Sequence, residues 1–184
     1  MENLTEQDLI QSILDGNTQS FSVLLKRYQR PIHALIRQIV SNKEDAEELT
    51  QDVFIKAFRK LDSFKGGSSL STWLYRIAWN TAISETRKKR LIYPEFDENQ
   101  FANLADETVD EVLEKENDET QLQRLEQAID RLNPEEKALI TLYYTENKPM
   151  AEVAMILNIS AENAKVKLHR TRKKIVLLLN NEQR

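Results

Sequence analysis

The stretch Met150-Ala151-Glu152-Val153-Ala154-Met155-Ile156-Leu157-Asn158-Ile159-Ser160-Ala161-Glu162-Asn163-Ala164-Lys165-Val166-Lys167-Leu168-His169-Arg170 decides how the rest of the chain is read. Two runs with helical apolar spacing, Met150 to Leu157 and Ala161 to about Leu179, are joined by the tight segment Asn158-Ile159-Ser160. Ala154 is small enough for helices to cross closely, Asn158 tolerates a left-handed turn often given to glycine, and Ser160 suits the cap of the second helix. This is helix-turn-helix spacing. Geometry alone fits an ordinary helical hairpin equally well.

Charge separates the two readings. The second helix carries Lys165, Lys167, Arg170, Arg172, Lys173 and Lys174 with no acid among them, whereas a merely solvated face mixes signs. At about 100° per residue, Ala164, Leu168, Thr171, Ile175 and Leu178 share one inward stripe, leaving Glu162, Asn163, Lys165, Val166, His169, Arg170 and Lys173 outward or flanking. Such a face suits the major groove of DNA. The first turns of a recognition helix meet base edges and later cations meet phosphate. That division assigns Glu162, Asn163, Lys165, Val166 and His169 to reading, and Arg170, Arg172 and Lys173 to anchoring.

Upstream of this unit, Asn133 and Glu136 form a capping box around Pro134, and Leu122, Leu125, Ile129 and Leu132 mark a preceding helix. Before it the chain turns acidic. Glu95 to Glu119 holds eleven acids and one Lys115, so the net charge of -4 conceals a segment of -10 and a remainder of +6. Lacking firm periodicity, residues 93–117 read as a flexible linker. It divides the chain into domains at 1–92 and 118–184. The acidic tether is expected to compete for the basic surfaces and weaken DNA binding by the free protein.

The first domain is also helical. Thr5 caps a helix over Leu9, Ile10, Ile13 and Leu14, with Gly16 placed to end it, and Phe21 to Ile39 reads as one long helix or two, with a kink or restart at Pro31. Ala46, Leu49, Val53, Phe54, Ala57 and Leu61 form the buried stripe of another. Gly66 to Ser69 break the pattern before Ser71 or Thr72 starts a helix that runs into Arg87-Lys88-Lys89-Arg90. Arg76, Asn80, Ser84 and Arg87, spaced by four, four and three, share one polar face on it.

Composition narrows the function classes. With three glycines, four prolines and 40% apolar residues, the expectation is an all-α protein of two small helical domains. There is no cysteine, and two isolated histidines, His33 and His169, make no metal site; no cofactor is expected. A phosphate loop or a nucleophile beside its base is not found, which argues against an enzyme. No apolar run nears the roughly 20 residues that span a bilayer, and no signal pattern opens the chain, so a soluble cytoplasmic protein without direct membrane insertion is expected.

Several segments, in order, resemble the extracytoplasmic-function (ECF) group of bacterial RNA polymerase sigma factors, in the sigma-70 family. They are Asp45-Ala46-Glu47-Glu48-Leu49-Thr50-Gln51-Asp52-Val53-Phe54, Phe64-Lys65, Thr72-Trp73-Leu74-Tyr75-Arg76-Ile77-Ala78-Trp79-Asn80-Thr81, Leu132-Asn133-Pro134-Glu135-Glu136 and Leu168-His169-Arg170-Thr171-Arg172-Lys173-Lys174. The resemblance implies a region 2 bundle at 1–92 that binds core polymerase and melts the minus-ten element, and a region 4 helix-turn-helix at 118–184 for the minus-thirty-five element.

It further implies that Asp45, Glu48, Leu49, Gln51, Asp52 and Ile55 dock on the clamp helices of the polymerase β′ subunit, with the β flap a second contact. Phe64, Lys65, Trp73, Arg76, Asn80, Ser84, Arg87 and Lys88 fall to minus-ten DNA, with Trp79 a further aromatic able to stack or wedge. Glu162, Asn163, Lys165, Val166, His169, Arg170, Arg172 and Lys173 fall to minus-thirty-five DNA. The free chain is expected to be a monomer, controlled by an anti-sigma factor that holds it at the inner membrane. Asn158 where the turn commonly has glycine, Asn163-Ala164 in place of threonine-valine, and Val166 in place of a small polar residue depart from the usual pattern, so promoter preference does not transfer from relatives.

Overall fold

Six of the eight described α-helices begin where a side chain supplies an acceptor for otherwise orphaned amides. The computed structural model describes residues 5–89, 93 and 119–181. The linker expected at 93–117 lies outside the described residues except for Tyr93, and so does Arg90. Thr5 accepts from the Asp8 amide at 3.2 Å and opens α1 (Glu6–Leu14). Asn17 and Asn42 likewise cap α2 (Thr18–Ile39) and α3 (Lys43–Lys60). Pro31 neither ends α2 nor restarts it; one 22-residue helix runs through it, with Leu24, Tyr28, Ile32, Leu35, Ile36 and Ile39 buried. Helix α4 (Leu70–Lys89) starts earlier than expected, because Ser69, rather than Ser71 or Thr72, accepts the Thr72 amide at 3.2 Å. Helices α2, α3 and α4 pack on one another, and α1 closes against α2.

The second lobe comprises α5 (Glu119–Asp130), α6 (Pro134–Ile140), α7 (Met150–Leu157) and α8 (Ala161–Asn181). Asn133 and Glu136 form the expected reciprocal cap, each bond 2.9 Å. The turn after α6 was not foreseen. Residues Thr141–Thr145 continue it as a wider π turn, with the Glu146 amide donating to the Thr141 carbonyl at 2.9 Å. Asn158 adopts φ 58°, ψ 47°, the left-handed conformation expected of it, and the Asn163 amide donates to Ser160 at 3.1 Å.

The two lobes touch. Helix α7 packs on α4 and α6 packs on α2, so the buried residues of both lobes merge into one continuous apolar core. Among the described residues every regular element is helical, the all-α architecture that composition and periodicity imply.

Candidate nucleic-acid and polymerase interface

In the second lobe, helix α8 is fixed from below by Ala164, Leu168, Thr171, Ile175 and Leu178, all buried, as the 3.6-residue period requires. That leaves Glu162, Asn163, Lys165, Val166, His169 and Arg170 exposed on the opposite side, while Arg172 and Lys173 are half-buried at its flank. The six cations counted along this helix do not all face outward. Lys174 is buried, its side chain 6% exposed, and pairs with Glu136 at 2.8 Å; Lys167 pairs with Glu135 at 3.2 Å. Both acids lie in the first turn of α6, where the helix dipole already favours negative charge. The outward face therefore owes its basic character chiefly to Lys165 and Arg170, with Arg172 and Lys173 alongside.

In the first lobe, α3 and α4 form the two walls of an open groove of about 490 Å³. Asp45, Glu48 and Asp52 line the α3 wall with Lys56 and Lys60, and Asn80, Ser84 and Lys88 line the α4 wall with Glu85. Two residue sets that the sequence analysis gives to different partners thus meet across one cleft. Lys89 pairs with Asp45 at one end, which raises the lysine's pKa above its ordinary value, and Lys56 donates to Thr81 at 3.1 Å within the cleft. Arg76, Asn80, Ser84 and Arg87 are all exposed, as their spacing on one face requires.

The aromatic residues divide by burial. Phe64 and Trp73 are half-buried and pack on each other with ring centroids 5.3 Å apart, which holds the glycine-serine loop against α4. Lys65 beside them is exposed. Trp79 is 6% exposed and belongs to the core, so it is not available to stack on a base.

On α3, Leu49 is 9% exposed and packs into the core, so its first role is to hold the helix that carries the acids. Gln51 and Ile55 are exposed on α3 next to the acids, where the helix turns from the first groove toward a second of about 1060 Å³ between α2 and α3. That groove contains a residue the sequence analysis passed over. Phe58 is 52% exposed beside Ile55 at 49%, and its ring meets Phe21 edge to face at 5.0 Å. The signal was present: Ile55 and Phe58 are apolar positions that fall off the buried stripe of α3. Also lining this groove, His33 hydrogen-bonds Thr50 at 3.1 Å.

A family model for Sigma-70 region 2 matches residues 24–92, and one for Sigma-70, region 4, matches residues 122–175. The chain is 44% identical over 81 residues to the ECF RNA polymerase sigma-E factor of Escherichia coli and 43% identical over 81 residues to that of Haemophilus influenzae. Each match takes in 44% of this chain and 42% of the relative, so the matched segment spans less than half of those proteins.

Two solved structures share the fold. The sigma factor RpoE of Bartonella quintana, solved with the anti-sigma factor NepR, superposes with TM-score 0.65 at 23% identity over 88% of this chain and 98% of that one. CnrH, solved with the cytosolic domain of CnrY, gives TM-score 0.62 at 18% identity over 96% and 97%. With region 2 on the acid-and-base groove and region 4 on the helix-turn-helix, in that order along one polypeptide, the chain belongs to the sigma-70 family, in its ECF group.

Proposed function

We propose that this chain directs RNA polymerase to promoters: it binds the core enzyme through α3, melts the minus-ten element along α4, and reads the minus-thirty-five element with α8. The observation that carries the reading is the juxtaposition in the first lobe of Asp45, Glu48 and Asp52, on an α3 wall that also bears Lys56 and Lys60, with Asn80, Ser84 and Lys88 on the α4 wall. A groove with both signs suits two partners at once. Carboxylates complement a basic protein surface, and the amide, hydroxyl and ammonium groups follow a displaced strand. Gln51, Ile55 and Phe58 adjoin the acids along the exposed surface of α3, giving a docking helix the apolar centre that interfaces require. A conventional dimeric helix-turn-helix regulator has no use for either feature.

The minus-ten set of the reading is Phe64, Lys65, Trp73, Arg76, Asn80, Ser84, Arg87 and Lys88. Its minus-thirty-five set is Glu162, Asn163, Lys165, Val166, His169, Arg170, Arg172 and Lys173. Catalysis belongs to the polymerase, and this chain supplies recognition. Both solved neighbours are described in complexes, one with a named anti-sigma factor. An anti-sigma partner for this chain is part of the proposal, as is its tethering to the inner membrane by that partner; no described helix of the chain is long and apolar enough to cross a membrane. The test is transcription in vitro with purified core polymerase on a promoter library. Selective initiation is the expected result, and failure to associate with core or to start anywhere overturns the reading.

A further inference from the structure

Among the described residues of α8, Val166 is the large apolar side chain left exposed, at 49%. The residues on the same side of the helix, Glu162, Asn163, Lys165, His169 and Arg170, are exposed and polar. At about 100° per residue, Val166 lies about 160° round the helix from the centre of the buried stripe formed by Ala164, Leu168, Thr171, Ile175 and Leu178. It therefore points almost directly away from the core. Ser160, which accepts the Asn163 amide at 3.1 Å, fixes the start of the helix and so places Val166 in its second turn, within the part of a recognition helix that meets base edges.

The chemistry of valine limits what it can recognise there. Its side chain neither donates nor accepts a hydrogen bond. Set against the N7, O6 or N6 of a purine, or the N4 amine of cytosine, it takes a polar group out of water and returns nothing. The C5-methyl of thymine is the one alkyl group that a base pair shows in the major groove. Branching at Cβ adds to the fit, because a helix holds valine in one strongly preferred rotamer. Both of its methyl groups stand in place before DNA arrives, so little side-chain freedom is lost on contact. Glu162, Asn163, His169 and Arg170, three and four positions away, are its neighbours on the helix surface and close round a methyl group seated on it.

We propose that Val166 is a specificity residue that selects thymine, through its C5-methyl group, at one position of the minus-thirty-five element. The inference rests on the reading of α8 as the minus-thirty-five helix, and it names the chemistry by which one residue of that helix discriminates. No hydrogen bond takes part, so the preference is for a 5-methylpyrimidine and not for a pattern of donors and acceptors. Its size is that of burying one methyl group, about fourfold in affinity. This separates Val166 from the cations of α8 that meet phosphate, whose removal weakens every sequence alike.

The full-length chain with core polymerase first selects an upstream element from a randomised promoter library. Each thymine of that element, on either strand, is then replaced singly by deoxyuridine, which deletes the methyl group and keeps the pairing. With the parent chain, one replacement is expected to weaken promoter binding about fourfold. With Val166→Ala the same replacement should have little effect, since the methyl has already lost its contact, and the difference between the two proteins is the coupling that assigns the contact to this side chain. Alanine at an exposed helical position favours the helix, so the variant keeps its fold. As the converse, cytosine at that position should weaken the parent complex, and 5-methylcytosine should recover about fourfold with the parent and nothing with Val166→Ala. Equal deoxyuridine effects in the two proteins at every position, or a selected element without an A·T pair, overturns the inference and leaves the promoter reading standing. If no element is enriched, the promoter reading fails and the inference falls with it.

Discussion

The two lobes each set an acid-bearing helix beside a base-bearing one, and they use the pair in opposite ways. In the second lobe Glu135 and Glu136 reach Lys167 and Lys174, so the acids are consumed in holding α6 to α8. In the first lobe Asp45, Glu48 and Asp52 stand across an open groove from Asn80, Ser84 and Lys88, with the Asp45–Lys89 pair at one end. The same residue types hold two helices together in one place and line an open groove in the other. Burial sets Glu136–Lys174 apart, with the lysine side chain 6% exposed, whereas Glu135–Lys167 is as open as Asp45–Lys89. A carboxylate paired with a buried ammonium is costly to remove, and one on a groove wall is already solvated.

The sharpest way to break this contrast is charge reversal in the groove. Asp52→Lys is expected to weaken capture of core polymerase by about 4 kcal/mol, close to a thousandfold, because it sets like charges against each other in the interface. The melting temperature should stay within a few degrees. A pull-down with purified core, paired with thermal denaturation, checks both, and a large loss of stability would assign Asp52 to the core.

Next in size, Glu136→Ala should destabilise the fold by about 3 kcal/mol, since it removes half of the capping box and a charge-assisted bond to the buried Lys174. Glu136→Gln should cost less, because its amide oxygen still accepts from the Asn133 amide. Urea unfolding measures the difference, and equal costs for the two variants would mean that the bond to the Asn133 amide contributes little and the carboxylate charge carries the effect.

On the reading helix the effects should be smaller and selective. Replacing Asn163 or Lys165 by alanine is expected to change discrimination at one or two upstream base pairs by about 1–3 kcal/mol each, leaving core capture intact. A randomised minus-thirty-five library would register it. Uniform weakening across all sequences would reassign the residue to phosphate. The smallest change belongs to Lys88→Gln at the α4 wall, which should lower the salt-dependence slope of promoter binding by about one and shift affinity only a few-fold. An unchanged slope would leave Lys88 to its contact with Glu85, 3.1 Å away.

Much of the architecture was legible because it is local. Caps at Thr5, Asn133 and Ser160, the left-handed Asn158 and the inward stripe of α8 follow from short-range hydrogen bonding and a 3.6-residue period, and neighbours a few positions away suffice to specify them. Pro31 left one helix or two open in the sequence, and packing on both sides of it decides for the single α2. The start of α4 moved by one or two residues because a run of hydroxyls offers several caps of nearly equal quality, and position in the fold selects among them.

The sequence by itself determined the helical class, the acidic interruption, the helix-turn-helix and the ordered segments that mark the family, since each is written in neighbouring residues. Only the tertiary structure decided that Trp79 is core, that Lys167 and Lys174 turn toward α6, that Ile55 and Phe58 share an exposed face, and that the lobes meet through Glu146, Lys148 and Glu152. Those outcomes depend on partners up to 80 positions away, as between Thr72 and Glu152. A charge has no fixed role until the fold sets whether it meets water, an opposite charge or another helix.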